Sequence, residues 1–204
     1  MKFSVTDQEK KALCRQVPEF RECMESIAPE GFECFGELFP ALVQSIISQQ
    51  LSVRVADVIY GRVKELLGEI TAERLASADS GALRACGLSV RKIEYLKGIA
   101  EAKLSGSVDF ESLAHLADAD VIAQLVKLKG VGVWTAEMLL IFALGRRDVL
   151  SFRDLGIRRG IMMLLKKDSL SEEEFERFRK RCSPYGTLAS LWLWKLKDGG
   201  LTVS

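Results

Sequence analysis

Histidine is almost absent from this chain of 204 residues: His115 stands alone, so no zinc site can be assembled around imidazoles. Cysteine occurs five times, at Cys14, Cys23, Cys34, Cys86 and Cys182, and never as a C-x-x-C pair. An odd number of scattered cysteines, behind an opening segment MKFSVTDQEKKALCRQV too charged for a secretion signal, points to free thiols in an intracellular protein, cytoplasmic or nucleoid/nuclear. No apolar run reaches the roughly 18 residues a membrane helix needs, so no membrane partner is expected. An excess of either charge is lacking too: 29 Lys and Arg against 28 Asp and Glu leave a formal net charge of +1, and composition alone makes no case for nucleic acid. Strand-type alternation, Asn-Gly hairpin turns, repeats and low-complexity stretches are all lacking, which leaves an all-α chain.

What is present is an ordinary globular balance, 48% apolar and 28% charged, in a length that suits one domain or two small lobes. The organising stretch runs from Leu128 to Asp154, LKGVGVWTAEMLLIFALGRRDVLSFRD. Gly130-Val131-Gly132 makes a turn, because glycine accepts backbone angles that a Cβ forbids. Trp134, Met138, Ile141 and Phe142 then recur at helical spacing. The first amides of such a helix lack internal partners and favour an anion. Asp154, in the polar segment Ser151-Phe152-Arg153-Asp154, suits either a helix N-cap or a carboxylate at the mouth of a cleft. Arg146, Arg147, Arg153, Arg158, Arg159, Lys166 and Lys167 fall within or just after this stretch, whereas Glu172, Glu173, Glu174 and Glu176 follow as a block. Basic pairs on a helical protein are usually solvated surface; their clustering around an anion-binding turn tilts this part of the chain towards a phosphate-bearing partner.

Upstream, short helices are predicted over Asp7–Gln16 and Pro18–Ser26, then a loop at Pro29-Glu30-Gly31, together a flank over 1–34 with no chemistry of its own. Leu42, Ile46 and Ile47 predict a helix that stops at Gln49-Gln50; Ser52 opens another carrying Val55, Ile59, Val63, Leu66 and Leu67. Thr71 and Ser80 are start signals, Gly87 a stop, and one helix is predicted over Phe110–Val126. After Asp154 comes an apolar helix with Ile157, Ile161, Met162, Leu164 and Leu165 largely buried, then a capping box at Ser171–Glu174.

Leu128, Gly130, Val131 and Gly132, followed by a helix and then Asp154, resemble the helix-hairpin-helix DNA glycosylase superfamily. Its signature is an L-P-G-V-G-type hairpin, a helix, and an aspartate that attends the sugar being cleaved. Lys129 stands where proline is usual, which costs the turn rigidity and supplies a cation near the phosphate. The Gln49-Gln50 corner resembles the family's S-x-Q corner; the resemblance makes Gln50 the plug that fills the gap left by a flipped nucleotide, with Leu51 as an apolar wedge. Gly87 to Leu96 resembles a G-h-S-x-x-K stretch, in which Arg91 and Lys92 either touch phosphate or lie in solvent. The final CSPYGTLASLWLWKLKD resembles the alkylation-repair branch, of 3-methyladenine DNA glycosylase II type, which ends P-[YW]-R-S-x-A-x-x-x-[IL]-W; Gly186 replaces its arginine.

The resemblance spans roughly residues 35–198. It implies a two-lobed helical glycosylase fold, with the active-site cleft between the lobes and the core over 35–204, the N- and C-terminal segments sharing one lobe. It implies Asp154 as the catalytic residue, Gln50, Leu51, Lys129, Gly130, Val131 and Gly132 on DNA, and Trp134, Met138 and Trp194 around the base. Branches that also cut the strand carry lysine at the position of Trp134, so strand cleavage is not expected. Some branches hold an iron–sulfur cluster on four cysteines near the C-terminus; only Cys182 lies there, so neither cluster, other cofactor nor metal is expected. The implied partner is double-stranded DNA containing a damaged base, bound by a monomer.

The chemistry agrees with these residue types. A base must leave the stack before its N-glycosidic bond can be broken. A carboxylate then stabilises the positive charge that develops on the sugar and can orient water. The tryptophans suit a cationic N-alkylated purine through cation–π stacking, although each also suits a core, Trp192 most of all. Simpler readings compete: Asp154 as a mere N-cap, and Gln49 and Gln50 as groups that satisfy helix-end carbonyls. A non-catalytic helix-hairpin-helix DNA-binding module needs neither Asp154 nor Gln50, and a protein-binding helical domain does not need the spacing. A glycosylase for oxidised or deaminated purines is the rival within the enzyme class.

Overall fold

The computed structural model describes residues 2–22 and 31–200. Cys23, the end of the expected Pro18–Ser26 helix and the Pro29-Glu30 turn lie outside the described residues. Two compact units emerge, Met1–Cys34 with Leu140–Ser204, and Phe35–Leu139.

The first unit opens with β1 (Lys2–Phe3), paired antiparallel with β2 (Phe32–Glu33), a small departure from an entirely helical reading. Phe3 and Phe32 stack across this pair with centroids 4.8 Å apart, which supplies the side-chain contact that so short a ladder needs. Helix α1 (Asp7–Gln16) starts in a reciprocal capping box between Thr6 and Glu9. A 3-10 turn at Pro18–Phe20 opens the described part of the helix expected from Pro18, and the unit also holds α10 (Leu155–Leu164), α11 (Glu172–Cys182) and α12 (Gly186–Lys195), the last continuing as a π-turn over Leu196–Gly200. The predicted capping box of α11 is present, with Ser171 and Glu174 each bonding the other's backbone. Their common core joins Leu13, Val17 and Phe20 to Ile157, Ile161, Phe175, Phe178 and Trp192. Trp192 is fully buried and stacks on Phe20 at 5.3 Å, so cutting it to alanine costs about 3–5 kcal/mol. In α10 only Ile157 and Ile161 of the predicted apolar set are buried; Met162, Leu164 and Leu165 are partly exposed.

The second unit holds α2 (Leu38–Ser48), α3 (Val53–Leu67), α4 (Ala72–Ser77), α5 (Ser80–Ala85), α6 (Val90–Leu104), α7 (Phe110–Leu113) and α8 (Asp118–Leu125). Helix α2 is apolar nearly all round and buries Leu38, Phe39, Leu42, Val43, Ile46 and Ile47, as a central helix must. Helix α3 buries Ala56, Ile59, Val63 and Leu67; Val55 and Leu66, predicted on that face, are exposed. The small Ala56 completes the i, i+3, i+7, i+11 stripe, and a pattern built only from large residues misses it. Side-chain caps at Thr71, Asp79, Ser89 and Asp109 start α4 to α7; the α5 cap is Asp79 rather than Ser80. The single helix expected over Phe110–Val126 is two, because Asp109 caps a first turn that ends at Leu113. Helix α9 (Val133–Phe142) follows the hairpin.

Candidate active site

The carboxylate of Asp154 is built from its neighbours in the first unit. Asp154 is the N-cap of α10 in extended conformation, and its Oδ1 accepts from the Ile157 backbone N–H at 2.8 Å. The same oxygen accepts the indole N–H of Trp194 at 3.0 Å. The residue is only 7% exposed, so a carboxylate that merely capped a surface helix is not what the fold contains. Two donors offset part of the cost of taking the charge out of water. Trp194 in turn stacks on Phe142 at 5.8 Å and 20° between planes, which leaves the indole little freedom.

Glycines make this approach possible. A Cβ on Gly156 would lie 3.0 Å from Trp194 Cδ1 and 3.1 Å from Asp154 Oδ1. One turn on, a Cβ on Gly160 would lie 2.5 Å from the Leu193 carbonyl oxygen, so α10 and α12 pack backbone to backbone. The segment leading to Asp154 is strapped to the start of α12 by buried polar groups. Ser190 donates to the Val149 carbonyl at 2.8 Å, and Thr187 donates to the Arg146 carbonyl at 2.6 Å while accepting from Val149 N–H at 3.2 Å. Asp148 accepts from Ser183 and from the Gly186 amide, at 2.6 and 3.0 Å. A Cβ at 186 would lie 2.8 Å from that carboxylate, so Gly186 has a structural reason in place of an arginine.

In the second unit, α8 and α9 flank the hairpin. The Val131 amide donates to the Leu128 carbonyl at 3.1 Å, which closes the turn, and Gly130 sits at φ +88°. A Cβ there would also fall 2.3 Å from the Tyr95 ring, so glycine is required twice over. Gly132 faces open space and has no such requirement. Leu128 and Val131 tuck inward while Lys129 and Gly132 are exposed, so the turn shows the solvent a cation and bare backbone. Trp134 is 42% exposed in the first turn of α9, and Met138 is partly buried.

Gln49 and Gln50 do not satisfy the end of α2. Lys92 does so, its ammonium donating to the carbonyls of Ile47 and Gln49, both at 2.7 Å. This corrects its reading as a phosphate contact or a solvated lysine. Burial pulls the Lys92 ammonium below the ordinary lysine value. Arg91 instead pairs with the Tyr95 hydroxyl and lies over its ring. Gln49 Nε2 donates to the Gly130 carbonyl at 2.9 Å. Gln50 is exposed at φ +60°, a conformation that non-glycine residues seldom adopt, and Leu51 beside it is 37% exposed.

The expected basic face is thinner than the sequence implied. Arg147 bonds the Ser4 carbonyl at 2.7 Å, pairs with Glu9 and covers Phe3; Lys167 pairs with Glu174; Arg158 lies over Phe152. Arg153 and Arg159 remain exposed. Cys14, Cys34, Cys86 and Cys182 are buried and in no disulfide, and among the described residues no cluster of His, Cys, Asp or Glu could hold a metal.

The hairpin, the corner and the buried aspartate all fall within or beside residues 43–184, which match the family model of the HhH-GPD superfamily base excision DNA repair proteins. The chain belongs to that family. This HhH-GPD chain is 35% identical over 198 residues to DNA-3-methyladenine glycosylase 1 of Schizosaccharomyces pombe, covering 95% of this chain and 84% of the relative. The chain spans 58% of the length of a Saccharomyces cerevisiae DNA-3-methyladenine glycosylase, to which it is 36% identical over 172 residues. Among solved structures, a DNA-3-methyladenine glycosidase from Bacillus halodurans superposes with a TM-score of 0.85 at 36% identity, over 98% of this chain and 93% of that one. The S. pombe 3-methyladenine DNA glycosylase in complex with abasic DNA gives 0.73 at 33% identity, over 98% and 97%.

Sequence reasoning missed Gly156, Gly160, Asp148, Thr187 and Ser190 as parts of the site, and it named Gln49 and Lys92 without the bonds they make to Gly130, Ile47 and Gln49. The glycines had a visible signal, two small residues four apart on one helix face. The polar groups had none, since their partners are far away in sequence.

Proposed function

We infer that this chain is a monofunctional DNA glycosylase that flips an N-alkylated purine out of duplex DNA and hydrolyses its N-glycosidic bond, leaving an abasic site. The observation that carries this reading is Asp154, a buried carboxylate with one oxygen held by the Ile157 amide and the Trp194 indole. A helix cap alone would not need the second donor. The relatives named for 3-methyladenine support the substrate class, and the S. pombe relative bound to abasic DNA supports DNA as the partner.

In this reading the exposed hairpin, with Lys129, Gly132 and the first amides of α9, grips a phosphate. Gln50, backed by Leu51, occupies the space that the extruded nucleotide vacates. An N-alkylated purine carries a positive charge, so it departs as a neutral base and leaves the charge on the sugar. Asp154 stabilises that oxocarbenium-like state. Water then adds to C1′, and its proton passes to the carboxylate or to solvent. Trp134, Met138 and Trp194 offer aromatic and polarisable surface to the cationic base. The position of Trp134 provides no amine, so no Schiff base forms and the strand stays intact.

The test is base release from duplexes carrying 3-methyladenine, hypoxanthine, uracil or oxidised guanine, with alkali added afterwards to reveal abasic sites. Release of 3-methyladenine and strand breaks only after alkali are expected. Release of none of these bases sinks the enzyme reading, and a product trapped by borohydride sinks the monofunctional one.

A further inference from the structure

The second unit contains a hydrogen-bonded chain that runs from the corner at Gln50 to the hairpin at Gly130. It starts at Lys92 on α6, which is partly buried and whose ammonium spans the carbonyls of Ile47 and Gln49 at the end of α2. It continues through Gln49, whose side-chain amide reaches the Gly130 carbonyl at the apex of the hairpin, 81 residues away in sequence. It closes where Tyr95, three residues after Lys92 on the same helix, packs its ring against the face of Gly130. The backbone of Gln50 leaves this chain at φ +60°. A left-handed residue next to a helix end persists only when its surroundings hold it there. Here the Leu51 amide closes the turn on the Ser48 carbonyl at 3.2 Å, and the two carbonyl bonds from Lys92 anchor that turn to α6.

We propose that Gln49 and Lys92 are positioning residues that tie the inserting tip at Gln50 to the phosphate-gripping hairpin at Gly130, so that backbone grip and stack insertion occur as one step. The proposal rests on the glycosylase reading above, because it assigns Gln50 to the stack and the hairpin to a phosphate. Its physical content is register. Flipping requires the tip to enter the duplex at a set distance from the gripped phosphate, and a tip that swivels inserts less often. Neither residue touches DNA in this account. Lys92, partly buried under the corner, contributes through the Ile47 and Gln49 carbonyls, and Gln49 through the hairpin apex.

The prediction separates extrusion from bond breaking. Paired DNA must be opened before reaction, whereas a single strand needs no plug. Release of 3-methyladenine is compared on duplex and on single-stranded oligonucleotides of one sequence, for the wild type, Gln49→Ala, Lys92→Met and Lys92→Arg. Gln49→Ala and Lys92→Met are expected to lose roughly tenfold in kcat/KM on duplex and less than about twofold on single strand, with Lys92→Arg recovering most of the loss. Equal losses on both substrates, in variants whose melting temperatures match the wild type, overturn the proposal and leave the glycosylase reading intact. A second readout needs no catalysis: 2-aminopurine beside a tetrahydrofuran abasic analogue brightens when the tip enters the stack. Brightening reduced in Gln49→Ala supports the tie, and wild-type brightening in both Gln49→Ala and Lys92→Met overturns it. If the wild type releases no base at all, the glycosylase reading falls and this fluorescence alone decides the tie.

Discussion

The Asp154 region and the Gln50 region solve opposite problems. Asp154 is a carboxylate set almost out of solvent, and the first unit surrounds one of its oxygens with an amide and an indole N–H while glycines at 156 and 160 let α12 come close. Gln50 is a neutral side chain that has to stand in solvent and still stay aimed, and the second unit holds its backbone from behind through Lys92 and Gln49. In the roles proposed above, the side chain that performs chemistry is specified by what touches it, and the one that enters the DNA by what holds its backbone.

Five substitutions test that contrast. The largest effect is expected from Asp154→Asn, which keeps an acceptor for Ile157 and Trp194 but removes the charge. Base release in single-turnover assays should fall about 10²–10³-fold, with binding to an abasic-analogue duplex within about threefold by fluorescence anisotropy. Unchanged turnover would remove Asp154 from the mechanism. Next comes Gly130→Ala, which forces a Cβ into the Tyr95 ring at a positive φ. Stability in urea should drop by about 1–3 kcal/mol and duplex binding by roughly tenfold, whereas Gly132→Ala, facing open space, should leave stability within about 1 kcal/mol and lower binding alone.

Gln50→Gly sharpens the contrast further, because its two effects have opposite signs. Relief of the φ +60° backbone should raise stability by about 0.5–1 kcal/mol, while loss of the plug should lower duplex turnover about tenfold. A variant that was both less stable and fully active would contradict the assignment of this corner. The smallest effect belongs to Glu174, far in sequence from both regions. Its hydrogen bond with Lys167, then that with the Ser171 backbone, lowers its pKa to about 2. The folded value lies below the unfolded 4.5, so this contribution is complete above that pH and disappears as pH falls from 4.5 towards 2. Glu174→Gln should lower the melting temperature at pH 7 by only about 1–2 °C, with the difference vanishing near pH 2 and activity unmoved.

Much of the candidate site is legible one residue at a time. Gly130 announces a left-handed turn, Asp154 announces a helix start with a carboxylate, and the polar Gln49-Gln50 corner breaks an apolar helix; each signal is local and each element stands where it was expected. The basic stretch misled because charge in a sequence does not say where the partner is. Arg147 is taken up by Ser4, Glu9 and Phe3, and Lys167 by Glu174. Lys92 misled in the same way, since a lysine near the start of a helix looks solvated until the carbonyls of another helix end appear above it.

By itself the sequence determined the helical class, through apolar periodicity and the absence of alternation, and the hairpin-to-aspartate spacing that marks the family. Those are properties of short windows, where backbone sterics and capping act within a few residues. Only the tertiary structure decided that Trp194 bonds Asp154 across 40 positions and that Gln49 bonds Gly130 across 81. A hydrogen bond forms wherever two groups are brought within about 3 Å, and that distance is set by the packing of whole helices rather than by any pattern in the chain.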